Sequence, residues 1–203
     1  MKSAISVTVP CRADEPDFRR MLDSLLIACD SPSLPNDCAK ELIICINGIS
    51  VEKDCPALRA VREFCRANNL ILDEVRLHES QTATENELTS RDTPVAGRKL
   101  HCLVLSAPWY GKPRAMNALF RCSRGGLLVF CDADVRVDPE AIAHLYSEAT
   151  RQSRLCLIAA TEIPYGPASA GFWWRLGALP YRFDFGNVGG RLFLIRKNAL
   201  RRP

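Results

Sequence analysis

The chain has 203 residues, 47% of them hydrophobic, with 27 basic and 23 acidic side chains for a net charge of +4. That length can bury roughly 70% of the unfolded surface, and one domain is the natural expectation. The weak charge and the lack of a basic block argue against a nucleic-acid partner, although anionic small molecules fit, and no apolar run is long enough to span a bilayer.

The amino terminus offers only Ala4 to Val9 before Pro10, too short for the core of a signal peptide. Residues 4–9, AISVTV, read as a first strand that Pro10 stops. Beyond the turn Cys11 to Glu15, the residues Phe18, Met21, Leu22, Leu25, Leu26 and Cys29 recur at helical spacing and predict a first helix. Pro32, Pro35 and Asn36 mark a loop before a second strand, Glu41–Ile46, which closes on Asn47-Gly48. Asp54 and Pro56 open a second helix with Leu58, Val61, Phe64 and Cys65 inward, ending near Asn68-Asn69. This alternation predicts a doubly wound α/β fold. Val75 and Leu77 alternate with Glu74, Arg76 and His78 in a third strand, and the polar stretch Glu79–Arg98 reads as an exposed loop or flap. A strand near Leu100–Leu105 precedes the turn Trp109-Tyr110-Gly111-Lys112.

The stretch Gly111–Tyr146 organises the rest. Met116, Leu119 and Phe120 form a helical stripe. The apolar run Leu127–Cys131 fits a strand covered on both faces. That run ends in Asp132-Ala133-Asp134, and Asp138, as N-cap with Pro139 as first helical residue, opens a helix carrying Ile142, Leu145, Tyr146 and Ala149. Ligands of such sheets bind at the carboxyl ends of strands, where the two aspartates fall. Crowded carboxylates repel each other, and a divalent cation compensates them best. Mg²⁺ and Mn²⁺ prefer oxygen ligands, and Mg²⁺ takes as few as one or two carboxylates, leaving other positions to water and phosphate. Such an ion neutralises a departing diphosphate. The plainer alternative is that both aspartates solvate a loop and cap the next turn.

Further along, Leu155–Ala160 reads as another strand, leading to Thr161 and Glu162. Tyr165–Phe185 is rich in Gly, Pro and aromatic residues. Its Phe172, Trp173, Trp174, Leu176 and Leu179 fit core packing, a cleft wall or a surface that touches lipid with Arg175 and Arg182 outside. Gly189-Gly190 turns into a last strand, Arg191–Lys197, and Asn198–Pro203 is a short basic tail. The ten cysteines include no CxxC spacing and suit buried free thiols in a reducing compartment, hence a cytoplasmic protein. His78, His101 and His144 show no ligand spacing.

The segments VTVPCRADEP, ELIICINGIS, GKPRAMNAL, LLVFCDADVRVDPEAI and GGRLFLIRKNAL, in this order, resemble glycosyltransferase family 2. The resemblance implies a single Rossmann-like GT-A domain over residues 1–203, with a mostly parallel sheet flanked by helices. Residues 1–135 would form the nucleotide-donor half and 136–203 a partial acceptor half. It implies inverting transfer of a sugar from a UDP- or GDP-linked donor to a glycan, lipid or small-molecule acceptor, with Mg²⁺ or Mn²⁺, in the cytoplasm or at the inner face of a membrane. By similarity Asp134 would hold the metal, with Asp132 sharing it or lying near the ribose beside Ala133. Pro10, Arg12, Asp14, Glu15 and Asn47 would border the nucleobase, and Lys112 and Asn117 would lie beside the nucleotide. Ordinary readings stand next to these: Lys112 as a solvated charge, Asn117 as a polar residue of an exposed face, and Arg12 with Glu15 as a local ion pair worth under about 1 kcal/mol.

The sequence departs from the family pattern at three places. Ala13 stands where the family commonly has Asn, and Asn47 where it has Asp, which removes a charge but keeps an acceptor. Inversion needs a carboxylate base, which the family carries beyond the strand corresponding to Arg191–Lys197. Only Glu162 and Asp184 are acidic after Glu148, neither in a recognisable base motif, so the catalytic base is unassigned and a truncated form is one expectation. Two alternatives remain open. A phosphatase of the haloacid dehalogenase type would use Asp132 as nucleophile, since VFCDADV followed by LIAAT imitates its motifs. A catalytically silent donor-binding module would need no base.

Overall fold

The computed structural model describes residues 4–49, 55–77, 100–154, 156–160 and 191–201. Expectations for Glu79–Arg98, for Glu162, for Tyr165–Phe185 and for Gly189-Gly190 fall outside the described residues.

In chain order the elements are β1 (Ile5–Arg12), α1 (Phe18–Cys29), β2 (Lys40–Asn47), α2 (Pro56–Ala67), β3 (Ile71–Arg76), β4 (His101–Ala107), α3 (Lys112–Cys122), β5 (Leu127–Cys131), α4 (Ala141–Arg151), β6 (Leu157–Ala159), β7 (Leu192–Arg196) and a closing 3-10 turn, Lys197–Arg201. The strands form one seven-stranded sheet in the order β3-β4-β2-β1-β5-β7-β6. From β3 to β5 every neighbour is parallel, and β7 runs antiparallel to both β5 and β6. The mostly parallel α/β sheet expected from the sequence is therefore the architecture observed.

Strand parity builds three layers. Leu42, Ile44 and Ile46 of β2, with Leu127, Val129 and Cys131 of β5, join one apolar cluster with α1, α2 and α4. The alternate residues Ile43, Cys45, Leu128 and Phe130 join a second cluster with Ala115, Ala118, Leu119 and Cys122 of α3. Successive strand side chains point to opposite faces, so a strand covered on both sides must be apolar at every position, as LIICI and LLVFC are. All ten cysteines are free thiols, nine of them buried and only Cys156 exposed.

Three expected boundaries need correction. Pro10 does not stop the first strand: β1 continues to Arg12, with Pro10 opposite Cys45 of β2. Pairing with β5 ends at Thr8, so from there one flank of β1 is open and a residue without an N–H is tolerated. Asp138 is not the N-cap of the helix after the acidic turn. Its Oδ1 instead accepts the Glu140 N–H at 2.9 Å, and Glu140 is the N-cap of a helix that begins at Ala141. The side chain closes a tight turn one step upstream. The third strand also begins earlier than Val75, at Ile71, and Leu77 is buried just past its end.

Candidate active site

The parallel strands bring their carboxyl ends to one edge, with Arg12 opposite Asn47 and Asn47 opposite Ala107. The loops leaving that edge are stitched together by backbone bonds. The Ala13 N–H donates to Asn47 O at 3.1 Å, the Gly48 N–H to Trp109 O at 2.9 Å and the Ala57 N–H to Ala13 O at 3.2 Å. Gly48 is required here. Its φ is +79°, and a Cβ would stand 2.3 Å from the Tyr110 ring.

The acidic turn follows β5 on the same edge. Parity places Cys131 on the face covered by α1, α2 and α4, so Asp132 leaves the strand toward α3. There Lys112, the first residue of α3, sets its Nζ 2.6 Å from Asp132 Oδ1 and 2.8 Å from Oδ2. Ala133 is buried between the two aspartates and anchors the turn in the core. Asp134 is exposed. The segment beyond is pinned to α1 and to the loop after it, because Ser24 Oγ accepts the Val137 N–H at 3.1 Å and the Ser31 hydroxyl donates to Glu140 at 2.9 Å. On the other flank the Asp132 N–H donates to Arg191 O at 2.8 Å. A rigid scaffold thus holds two partly solvated carboxylates.

The turn after β1 supplies the remaining charges. Arg12 makes a two-pronged ion pair with Asp14, at 3.0 and 2.8 Å, on the exposed surface. The ordinary reading paired Arg12 with Glu15, and this is corrected: the fork geometry of the guanidinium is satisfied by Asp14. Glu15 lies instead near Asp134. Burial first, then the Asp134 charge, push Glu15 above the ordinary carboxylate range, with Arg12 opposing.

The structure therefore gathers Arg12, Asp14, Glu15, Asn47, Lys112, Asp132 and Asp134 at one edge. Asn47 is buried at the end of β2, and Pro10 lies two residues inside the end of β1. Asn117 is exposed on α3, about 140° around the helix from Lys112 at roughly 100° per residue, so the two side chains do not leave α3 in the same direction. Sequence reasoning gave no role to Tyr110, a 74% exposed residue whose ring lies against Gly48, or to Trp109, buried under the Arg114 guanidinium 4.7 Å from its ring centroid. Two adjacent aromatic residues before a Gly-Lys turn were the available signal, but which backbone they cover depends on the loop after β2.

Among the described residues no group of three or more His, Cys, Asp or Glu side chains is arranged to hold a metal. Asp132 and Asp134 form a smaller, all-oxygen set. That set fits a hard divalent cation which takes its remaining ligands from water and phosphate, and it does not fit zinc, which favours nitrogen and sulfur ligands.

The phosphatase alternative fails on topology. It requires the strand carrying LIAAT to serve a nucleophile at the end of β5, whereas β6 lies beyond β7 at the far edge of the sheet.

Solved structures share this fold. A mannosyltransferase, PcManGT from Pyrobaculum calidifontis, solved with GDP-Man and Mn²⁺, superposes with a TM-score of 0.62 at 16% identity over 100% of this chain and 47% of its own. Glucosyl-3-phosphoglycerate synthase from Mycobacterium tuberculosis, in complex with UDP, gives 0.55 at 14% identity over 98% and 58%. S. aureus TarS residues 1–349 give 0.56 at 15% identity over 99% and 48%. The chain thus spans about half the length of these proteins. No curated protein matches it in sequence. Residues 81–195, more than half of the chain, match the family model described as Glycosyl transferase family 2, and the chain belongs to that family of glycosyltransferases.

Proposed function

We infer that this chain binds a nucleotide-diphosphate sugar, UDP- or GDP-linked, through a divalent cation and takes part in transfer of the sugar, with inversion, to an acceptor hydroxyl. The observation that carries the reading is the Asp132-Ala133-Asp134 turn at the carboxyl end of β5, held rigidly beside Lys112 in a family 2 chain. The ligands named for the similar structures, GDP-Man, UDP and Mn²⁺, agree with it.

In this reading Asp134, exposed, is the principal ligand of Mg²⁺ or Mn²⁺, and Asp132 shares the ion or borders the ribose. When bound, the cation supplies neutralisation of charge on the departing diphosphate. Lys112, at the amino end of α3, contributes a positive charge and a helix terminus, both favourable to phosphate. Pro10, Arg12, Asp14, Glu15 and Asn47 border the nucleobase. Asn47 offers both an amide donor and an acceptor to a base edge, where an aspartate would accept only. Ala133 keeps the two aspartates at fixed spacing, and Asn117 contributes from the exposed side of α3. Residues 1–135 act as the donor half and 136–203 as part of the acceptor half.

Nine buried free thiols support a reducing compartment, hence the cytoplasm. Among the described residues no helix is long and apolar enough to cross a membrane.

Thermal shift against UDP, GDP and their sugar conjugates, with and without Mn²⁺, tests the reading. A ligand at about a hundred times its Kd stabilises by about 2.7 kcal/mol. The expected result is that stabilisation requires Mn²⁺ and vanishes in Asp134→Ala. Equal stabilisation without metal, or in the variant, contradicts the assignment. Sugar transfer measured on the same samples separates an enzyme from a binding module.

A further inference from the structure

Lys112 grips both oxygens of Asp132, at 2.6 and 2.8 Å, and so occupies the side of that carboxylate where a cation would sit. The lysine side chain is 49% exposed. The ammonium therefore sits on a flexible four-carbon stem with access to solvent. An ammonium and a divalent cation cannot share one carboxylate at these distances without strong like-charge repulsion.

We propose that Lys112 is an internal stand-in for the cation, holding Asp132 until a diphosphate draws the ammonium away, so that donor and metal binding are coupled through this one side chain. The proposal rests on the donor reading above. It makes Lys112 a positioning residue with opposite effects on two ligands: it weakens the metal on its own and strengthens the nucleotide. Cation-first binding must break the Lys112–Asp132 pair without compensation. With a nucleoside diphosphate present, the ammonium exchanges a carboxylate for phosphate oxygens and frees Asp132.

Free Mn²⁺, followed by electron paramagnetic resonance during titration of the whole chain, reads this without any activity assay. Lys112→Met should bind Mn²⁺ alone about three- to fivefold more tightly than the wild type, the upper part of the range expected from removing a competing partly exposed ion pair. Its affinity for UDP or GDP in saturating Mn²⁺ should fall by a similar factor. Lys112→Arg, which keeps the charge and the pairing, should behave like the wild type. Arg136→Gln removes an exposed positive charge two residues after Asp134 and should change Mn²⁺ affinity less than about twofold, since exposed charges are screened. Unchanged or weaker Mn²⁺ binding in Lys112→Met overturns the proposal, and so does equal tightening in Arg136→Gln. A wild type whose Mn²⁺ binding ignores both nucleotides overturns the donor reading instead, while the metal-only titrations still decide whether Lys112 competes.

Discussion

The two ends of the same sheet treat carboxylates in opposite ways. At the amino end Glu41 is buried and engaged: its Oε1 accepts the Ser6 hydroxyl at 2.5 Å and the Arg124 N–H at 2.7 Å, while Ser6 Oγ accepts the Gly125 N–H at 2.8 Å. At the carboxyl end Asp132 has a movable lysine, Asp134 is exposed, and Glu15 is held above its ordinary range in part by the charge of Asp134. One end uses a carboxylate to fix the loop into β5, the other leaves like charges close together. A folded chain tolerates such an arrangement at a small loss of stability, and a bound cation would recover it.

The largest effect should come from breaking the engaged end. Glu41→Ala orphans the Ser6 hydroxyl and the Arg124 N–H and should lower stability by about 2–4 kcal/mol, read by denaturant unfolding, with nucleotide affinity unchanged. A loss below about 1 kcal/mol would show that this end is no better satisfied than the other. Next comes Gly48→Ala at the site end, which forces a Cβ to φ +79° and against Tyr110. The backbone part should amount to about 1–2 kcal/mol. Adding Tyr110→Ala should relieve the contact with the ring but not the backbone part.

Glu15→Gln sharpens the comparison further, because its sign is opposite. The folded value of Glu15 is raised above the ordinary 4.5, so between the two values the native chain holds more proton than the unfolded one. Its contribution is then fully present below 4.5 and is lost as pH rises through the raised value. Glu15→Gln should flatten that part of the stability-pH curve and raise stability at neutral pH, by no more than about a few tenths of a kcal/mol for a largely exposed pair. Destabilisation at neutral pH would contradict the like-charge effect of Asp134 on Glu15. The smallest effect is on thiol chemistry. Burial pushes Cys29 and Cys45 up to about 12, so a disulfide-exchange reagent should label one thiol rapidly in the folded chain, and Cys156→Ser should abolish that phase.

Much of the fold could be read from local pattern. The runs LIICI and LLVFC declare strands covered on both faces, and the stripes Phe18 to Cys29 and Pro56 to Ala67 declare helices, because burial imposes a period that sequence displays. The acidic turn was legible for the same reason: an apolar run that ends in two aspartates marks a strand end. The misplaced boundaries have local causes that depend on distant partners. Pro10 is tolerated because β5 has already left β1, and Asp138 caps a turn rather than the helix because Glu140 accepts from Ser31 in the loop after α1. The pairing of Lys112 with Asp132 and the nearness of Glu15 to Asp134 join residues far apart in sequence. They follow from strand parity and strand order, which no single segment encodes.

Calorimetric titration of UDP and GDP into the wild type and Asp134→Ala, each with and without Mn²⁺, tests the central claim most directly. The account predicts saturable binding of a nucleoside diphosphate to the wild type only when Mn²⁺ is present, and at least about a tenfold loss in the variant, equivalent to about 1.4 kcal/mol. Binding of equal strength in the variant, or in the wild type without metal, would contradict it.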